Sequence, residues 1–364
     1  MRILLGSRLW RWSAVAAAGA ALAVLVTGLI LQPAAPEGPP APEVNAGQVV
    51  PPVQGDEPQP TETAAESLAA AEEALTEQEG ILDQLRVNVF VSKESRIERV
   101  PLELYVRGVL AGEMPADFEM EALKAQAIAA RTYIVKQLAA GGGTGKKTGD
   151  ISDTVSHQVY VPLTELGTRW PEEQSTQSLA RLTRAVQETR GLIMTYNGKP
   201  IEASFFSTSN GYTENSEDYW TLSLPYLRSV PSPWDQELSP RYEQTVTLSL
   251  EEFRRKLGVG KGAERTMRIL ERTQGQRVKS VSIGGKTFTG RQVREKLGLA
   301  SSQFGWSTAD GEITFTTYGY GHGVGMSQWG ANGMAKSGKA AEAILQHYYT
   351  GVTIEQASKL PSEF

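Results

Sequence analysis

The stretch VLAGEMPADFEMEALKAQAIAARTY, residues 109–133, decides the fold: it closes one apolar helix, breaks at Met-Pro and opens another. Upstream, PLELYVRGVLAG puts Leu102, Tyr105, Val106, Val109 and Leu110 on one helical face, with Pro101 suited to the first turn and Gly112 to the stop. Downstream, a helix from about Glu119 carries Leu123, Ala127, Ala130, Ile134 and Leu138 as an apolar stripe, and its alanines permit close packing. Between the two stands a lone carboxylate, Glu113, in what reads as a loop.

A helix C-terminus carries partial negative charge, so a carboxylate just beyond it ionises less readily, and Leu110 and Met114 add desolvation in the same direction. Glu113 therefore suits a general acid that keeps its proton near neutral pH. Asp117, Glu119 and Glu121 lie at the start of the next helix, where the dipole favours the charged form, and read as helix-start acids. Glu113 is equally readable as a loop cap or an ion-pair member, and spacing alone leaves both open. Arg131, set among small residues in AIAARTY, needs a partner or a ligand. If it serves the site, Arg131→Ala keeps the fold and lowers activity; loss of folding marks it as structural.

Working outward, RVNVFVS from Arg86 alternates Val87, Val89 and Val91 as a strand does. Asn197-Gly198, between two apolar runs, is a type I′ hairpin signal. Ser249 with Glu252, and Thr289 with Gln292, read as capping boxes opening short helices. IGGKTFTG and EITFTTYG look like short strands, and no regular βαβ alternation is visible, so the fold class expected is α+β. GGGTGKKTGD, residues 141–150, is a loop that resembles a P-loop only superficially: Lys147 stands where Ser or Thr should follow the GK pair.

The N-terminus differs in kind. Arg2, Arg8 and Arg11 precede an uncharged run in which Ala14 to Leu31 approaches bilayer thickness as a helix, so residues 1–32 read as a cytoplasmic stub and transmembrane anchor rather than a cleaved signal. The chain beyond that anchor should lie outside the cytoplasm. Residues 33–85 are first proline-dense and then acidic and alanine-rich, a semi-rigid tether, and residues 86–364 form the folded region.

The chain has 364 residues, a net charge of -5 and no cysteine. Without a basic excess, capture of nucleic acid is a poor reading, and thiol nucleophiles and thiolate metal sites are excluded. The three histidines, 157, 322 and 347, form no HExxH or close pair, so metal catalysis is not expected.

Two further stretches carry chemistry. ASFFSTSNGYTENSEDYW, residues 203–220, places Ser207, Ser209, Asn210, Thr213 and Asn215 near Tyr212, Tyr219 and Trp220, a mixed surface suited to sugar hydroxyls and sugar faces or simply a polar loop. YGYGHGVGMSQWGANG, residues 318–333, has glycines at 319, 321, 323 and 325, which permit sharp turns or close approach to a ligand. It fits neither a dinucleotide fingerprint nor a nucleophile elbow. His322 and Ser327 could pair as base and nucleophile, or His322 could be a structural residue of the turn.

Taken in order, EMPADFEMEALKAQAIAARTY, DISDTVSHQVY, FFSTSNGYTENSEDYW and GYGHGVGMSQWGANGMAKSGKAAEAILQHYYTGV resemble the stage II sporulation protein D family, from about Arg86 to the C-terminus. The resemblance implies a lytic transglycosylase of peptidoglycan active during engulfment of the forespore. Its acid falls on Glu113 and its matching arginine on Arg131; Ser207, Ser209, Tyr212, His322, Ser327 and Gln328 in the later motifs are the candidate substrate-binding residues. Glycan strands stripped of stem peptides are the implied substrate, stage II sporulation proteins P and M the implied partners, and no cofactor is implied. The location implied is the mother-cell engulfing membrane, with the catalytic region facing the intermembrane space. Asn210 departs from a glycine common in the family, and a zinc site thought to use cysteine in some members is not expected here. Rival readings are a non-catalytic wall-binding enhancer of an amidase and a lysozyme-type hydrolase.

Overall fold

The computed structural model describes residues 85–141, 149–154 and 157–359, with helices and short strands interspersed as an α+β fold. The expected anchor, the linker up to residue 84 and most of the glycine-rich loop at 142–148 lie outside the described residues. Among the described residues no helix is long and apolar enough to cross a membrane.

Strand Arg86–Val91 buries Val87, Val89 and Val91 on one face and pairs antiparallel with Arg96–Pro101. Helix α1, Leu102–Glu113, follows directly, with Pro101 at its N-cap. Gly112 does not stop it. The helix runs through Glu113 and ends because Met114 precedes Pro115, whose ring disfavours helical backbone at Met114 (φ -124°, ψ 144°).

Helix α2, Met120–Ala139, is the centre of the larger core. Helices α1, α3 (Glu172–Glu188), α6 (Gln328–Lys336) and α7 (Ala341–Tyr348) and strand Leu192–Tyr196 all pack on it. Ala122, Ala125, Ala127, Ala129 and Ala130 are buried; a helix enclosed on several sides needs small side chains so that neighbours approach closely. Asn197 (φ 52°) and Gly198 (φ 73°) make the expected left-handed pair between strands Leu192–Tyr196 and Lys199–Pro200.

Residues 243–317 carry a second, separate core around Phe253, Val281, Val293, Phe304 and Phe315. It packs strands Phe304–Ala309, Glu312–Tyr318 and Glu243–Ser249 in antiparallel order, a second three-stranded hairpin sheet, and helices α4 (Leu250–Leu257) and α5 (Gly290–Leu297). Thr289 and Gln292 form the full capping box, whereas at Ser249 the hydroxyl accepts the Glu252 N–H and the reciprocal bond is missing. Arg277 ties this lobe to the glycine-rich stretch at 318–325, donating to the Gly321 carbonyl (3.1 Å), and also donates to the Ser301 hydroxyl within the lobe (2.9 Å).

Candidate active site

Glu113 lies at the end of α1, where the chain segment 158–161 crosses the helix. Gly108 and Gly112, four residues apart and so on one face, make that crossing possible: a Cβ on Gly112 would sit 2.9 Å from Val159 Cγ1 and its carbonyl oxygen. The Val159 N–H consequently reaches Glu113 Oε1 at 2.8 Å. From the other side the Gln328 amide donates to Oε2 at 3.3 Å. Both bonds favour the carboxylate, yet burial outweighs them and the Glu113 pKa is raised above its ordinary value.

Gln328 arrives through the parallel pairing of Met326–Ser327 with Phe205–Phe206, which sets residues 204–207 beside 326–328. The buried carboxylate of Asp235 clamps this junction. It accepts the Ser209 N–H (2.8 Å) and the hydroxyls of Ser209 (2.9 Å), Ser232 (2.8 Å) and Ser327. Burial raises the Asp235 pKa against those four donors.

Two clefts meet at Glu113. One, of about 510 Å³, is walled by Phe118, Trp170 and Trp329; the other, of about 410 Å³, by Phe205, Phe206 and Tyr320. Gly112, Glu113, Ser207, Arg241 and Gln328 border both, so the acid stands at the waist of a longer groove. Glu202 also borders the second cleft and is paired with Lys136 at 2.8 Å.

The expected site residues divide. Glu113, Ser207 and Gln328 come together at the waist, and His322 borders the second cleft. His322 Nδ1 accepts the Val324 N–H at 3.0 Å, while burial and the charges of Arg294 and Arg277 push its pKa down to about 3. It is a neutral ring in an aromatic group with Phe206, Tyr219 and Trp220.

Four candidates do not reach the groove. Arg131 is 0% exposed and forks onto Glu103 (2.9 and 2.6 Å), with further bonds to the Leu192 and Val186 carbonyls, so it joins α1, α2 and α3 inside the core. Ser209 and Ser327 are fully buried donors to Asp235, which also leaves Ser327 outside any pairing with His322 as a base. Tyr212, 43% exposed, lies on a short strand paired with Pro231–Ser232 and borders neither cleft. The glycine-rich loop approaches its own chain rather than a ligand: a Cβ on Gly325 would sit 1.9 Å from the Ser204 carbonyl, and one on Gly323 2.6 Å from Arg277.

Sequence reasoning missed Val159, Asp235, Arg241 and Trp170. Of these only the Val159 contact had a local signal, the glycine pair at 108 and 112 in α1.

A family model described as stage II sporulation protein matches residues 91–196, which include the end of α1, all of α2 and the Val159 segment. The chain is 50% identical to stage II sporulation protein D of Bacillus amyloliquefaciens and 48% identical to that of Bacillus subtilis, in each case over 280 residues, 76% of this chain and 81% of the relative. It is also 31% identical over 304 residues to the amidase enhancer of Bacillus subtilis, covering 68% of this chain and 40% of that protein. With half of the aligned positions shared across most of both chains, this protein belongs to the stage II sporulation protein D family, a family of sporulation.

Proposed function

We propose that the protein is a lytic transglycosylase that cuts the bond between N-acetylmuramic acid and N-acetylglucosamine in peptidoglycan, preferably on strands stripped of stem peptides. The observation that carries this reading is the position of Glu113, a carboxyl with a raised pKa at the waist of a groove whose arms are lined with aromatic rings. Sugar faces stack on such rings, and a strand lying through both arms has one linkage over the acid.

Glu113 gives its proton to the glycosidic oxygen as the C1–O bond breaks, releasing the glucosamine-ended fragment. The resulting carboxylate takes the proton of the muramic C6 hydroxyl, and O6 closes on C1 to give a 1,6-anhydro end. Atoms balance without water. Because the attacking hydroxyl belongs to the substrate, no second carboxylate is needed to activate a nucleophile, unlike the two-carboxylate hydrolases. The Val159 and Gln328 donors support the carboxylate half of this cycle and burial supports the acid half.

The basic and then apolar N-terminus supports a membrane anchor that holds the enzyme outside the cytoplasm, in the engulfing mother-cell membrane and facing the intermembrane space. Stage II sporulation proteins P and M are the proposed partners, the first supplying strands without stem peptides. A second reading, a wall-binding enhancer without activity of its own, is favoured by the relative named amidase enhancer. Mass spectrometry of products from purified glycan separates the readings. Anhydro ends support the lyase, reducing ends one water heavier indicate a hydrolase, and intact strands leave the enhancer.

A further inference from the structure

Arg241 is exposed at the waist of the groove, and its guanidinium lies over the Tyr320 ring, with Cζ 5.0 Å from the centroid. Several other arginines of the protein are held by carboxylates: Arg131 by Glu103, Arg228 by Glu217, Arg254 by Glu264 and Arg291 by Glu295. Among the described residues no carboxylate pairs with Arg241, and its side chain donates no hydrogen bond. The ring contact holds the guanidinium carbon in place while its N–H groups donate to no residue among those described, which suits bidentate capture of a carboxylate. Among the described residues Glu113 is the one acid bordering the first cleft, burial shifts it toward its neutral form, and exposed Arg169 borders the same cleft; on the second cleft, which Arg241 also borders, Glu202 is paired with Lys136.

On the glycan itself, apart from any stem peptide, an anion at this point has one chemical origin. Muramic acid differs from glucosamine by a lactyl ether on O3. While a stem peptide is attached, the lactyl carbonyl is a neutral amide; once the peptide is removed it is a carboxylate. We propose that Arg241 binds the free lactyl carboxylate of the muramic residue placed over Glu113, and so makes the groove selective for peptide-free glycan. This inference rests on the lyase reading for its choice of sugar, and names the group on the substrate that is recognised and the residue that recognises it.

The test is a binding measurement on the full chain carrying Glu113→Gln, which holds substrate without cutting it. One probe is peptide-free glycan with lactyl carboxylates; the other is the same material with those groups converted to carboxamides. The parent should bind the carboxylate form at least about tenfold more tightly, the scale of one charge-assisted hydrogen bond. Adding Arg241→Ala should erase that preference while leaving affinity for the carboxamide form in place, and Arg241→Lys should recover part of it. A parent that binds both forms alike overturns the proposal, as does an Arg241→Ala change that weakens both equally. Anhydro-end release by the unmutated chain is scored separately. Release without discrimination overturns the Arg241 assignment alone, and discrimination without release supports that assignment while overturning the lyase reading.

Discussion

Oε1 of Glu113 accepts the backbone N–H of Val159 at 2.8 Å although 46 positions separate the two residues, and the contact exists because Gly112 has no side chain. In Gly112→Ala the new methyl would overlap Val159, whose Cγ1 and carbonyl oxygen are each 2.9 Å from it. Alanine improves helix propensity by up to about 1 kcal/mol, but overpacking against backbone costs about 1–3 kcal/mol. The expected result is a net loss of stability, with anhydro-end release lowered at least about tenfold as the acid loses its donor. Chemical denaturation and product release read the two effects.

Glu113→Gln should reduce product release by roughly a hundredfold or more, the scale of a lost general acid. It should also stabilise the protein, with a definite pH dependence. Burial raises the folded-state pKa of Glu113 above the unfolded 4.5, so its contribution is fully present below that value and is lost as pH rises through the folded pKa. Glutamine does not titrate. The melting temperature of the variant relative to the parent should therefore rise as pH increases from about 4 through the folded-state pKa. A gap that stays constant over that range would show that burial does not hold the Glu113 proton.

Arg131→Ala leaves the Glu103 carboxylate buried among α1, α2 and α3 with its charge partner gone. Removing one member of such a pair costs about 3–5 kcal/mol, so the variant should unfold at a markedly lower temperature and denaturant concentration than the parent. Replacing both members together, as in Glu103→Leu with Arg131→Met, should fold and retain product release. Circular dichroism on the single and double variants, with activity per folded molecule, checks this. A single variant that keeps the parent's stability and is inactive would return Arg131 to a role at the groove.

Helices α1 and α2, the hairpin at Asn197-Gly198 and the cap at Thr289 were legible in the sequence because each is set by signals a few residues apart. The place of Glu113 near a helix end was legible for the same reason, although the helix includes Glu113 instead of stopping at Gly112. The destination of Arg131 was not, because Glu103 lies in the first turn of a different helix and spacing does not state how α1 crosses α2. Ser209 and Ser327 show the same limit. A hydroxyl beside glycines reads alike whether it faces a sugar or a buried carboxylate, and Asp235 carries no motif of its own. The second core at 243–317 went unread because its strands are amphipathic in the same way as those of the first, so composition marks no boundary.

Gln328 gives the last test, because its amide touches the acid without being able to replace it. Its Nε2 donates to Oε2 of Glu113 and so favours the ionised form, opposing the burial that raises the pKa. In Gln328→Ala that opposition is weakened, and the Glu113 pKa should move further up. The alkaline fall of kcat/KM, which reports the acid in the free enzyme, should shift to higher pH. The maximal rate should drop about tenfold as the carboxylate half of the cycle loses one donor. A pH profile that keeps its position while the rate falls would mean that the Gln328 bond does not govern the proton of Glu113.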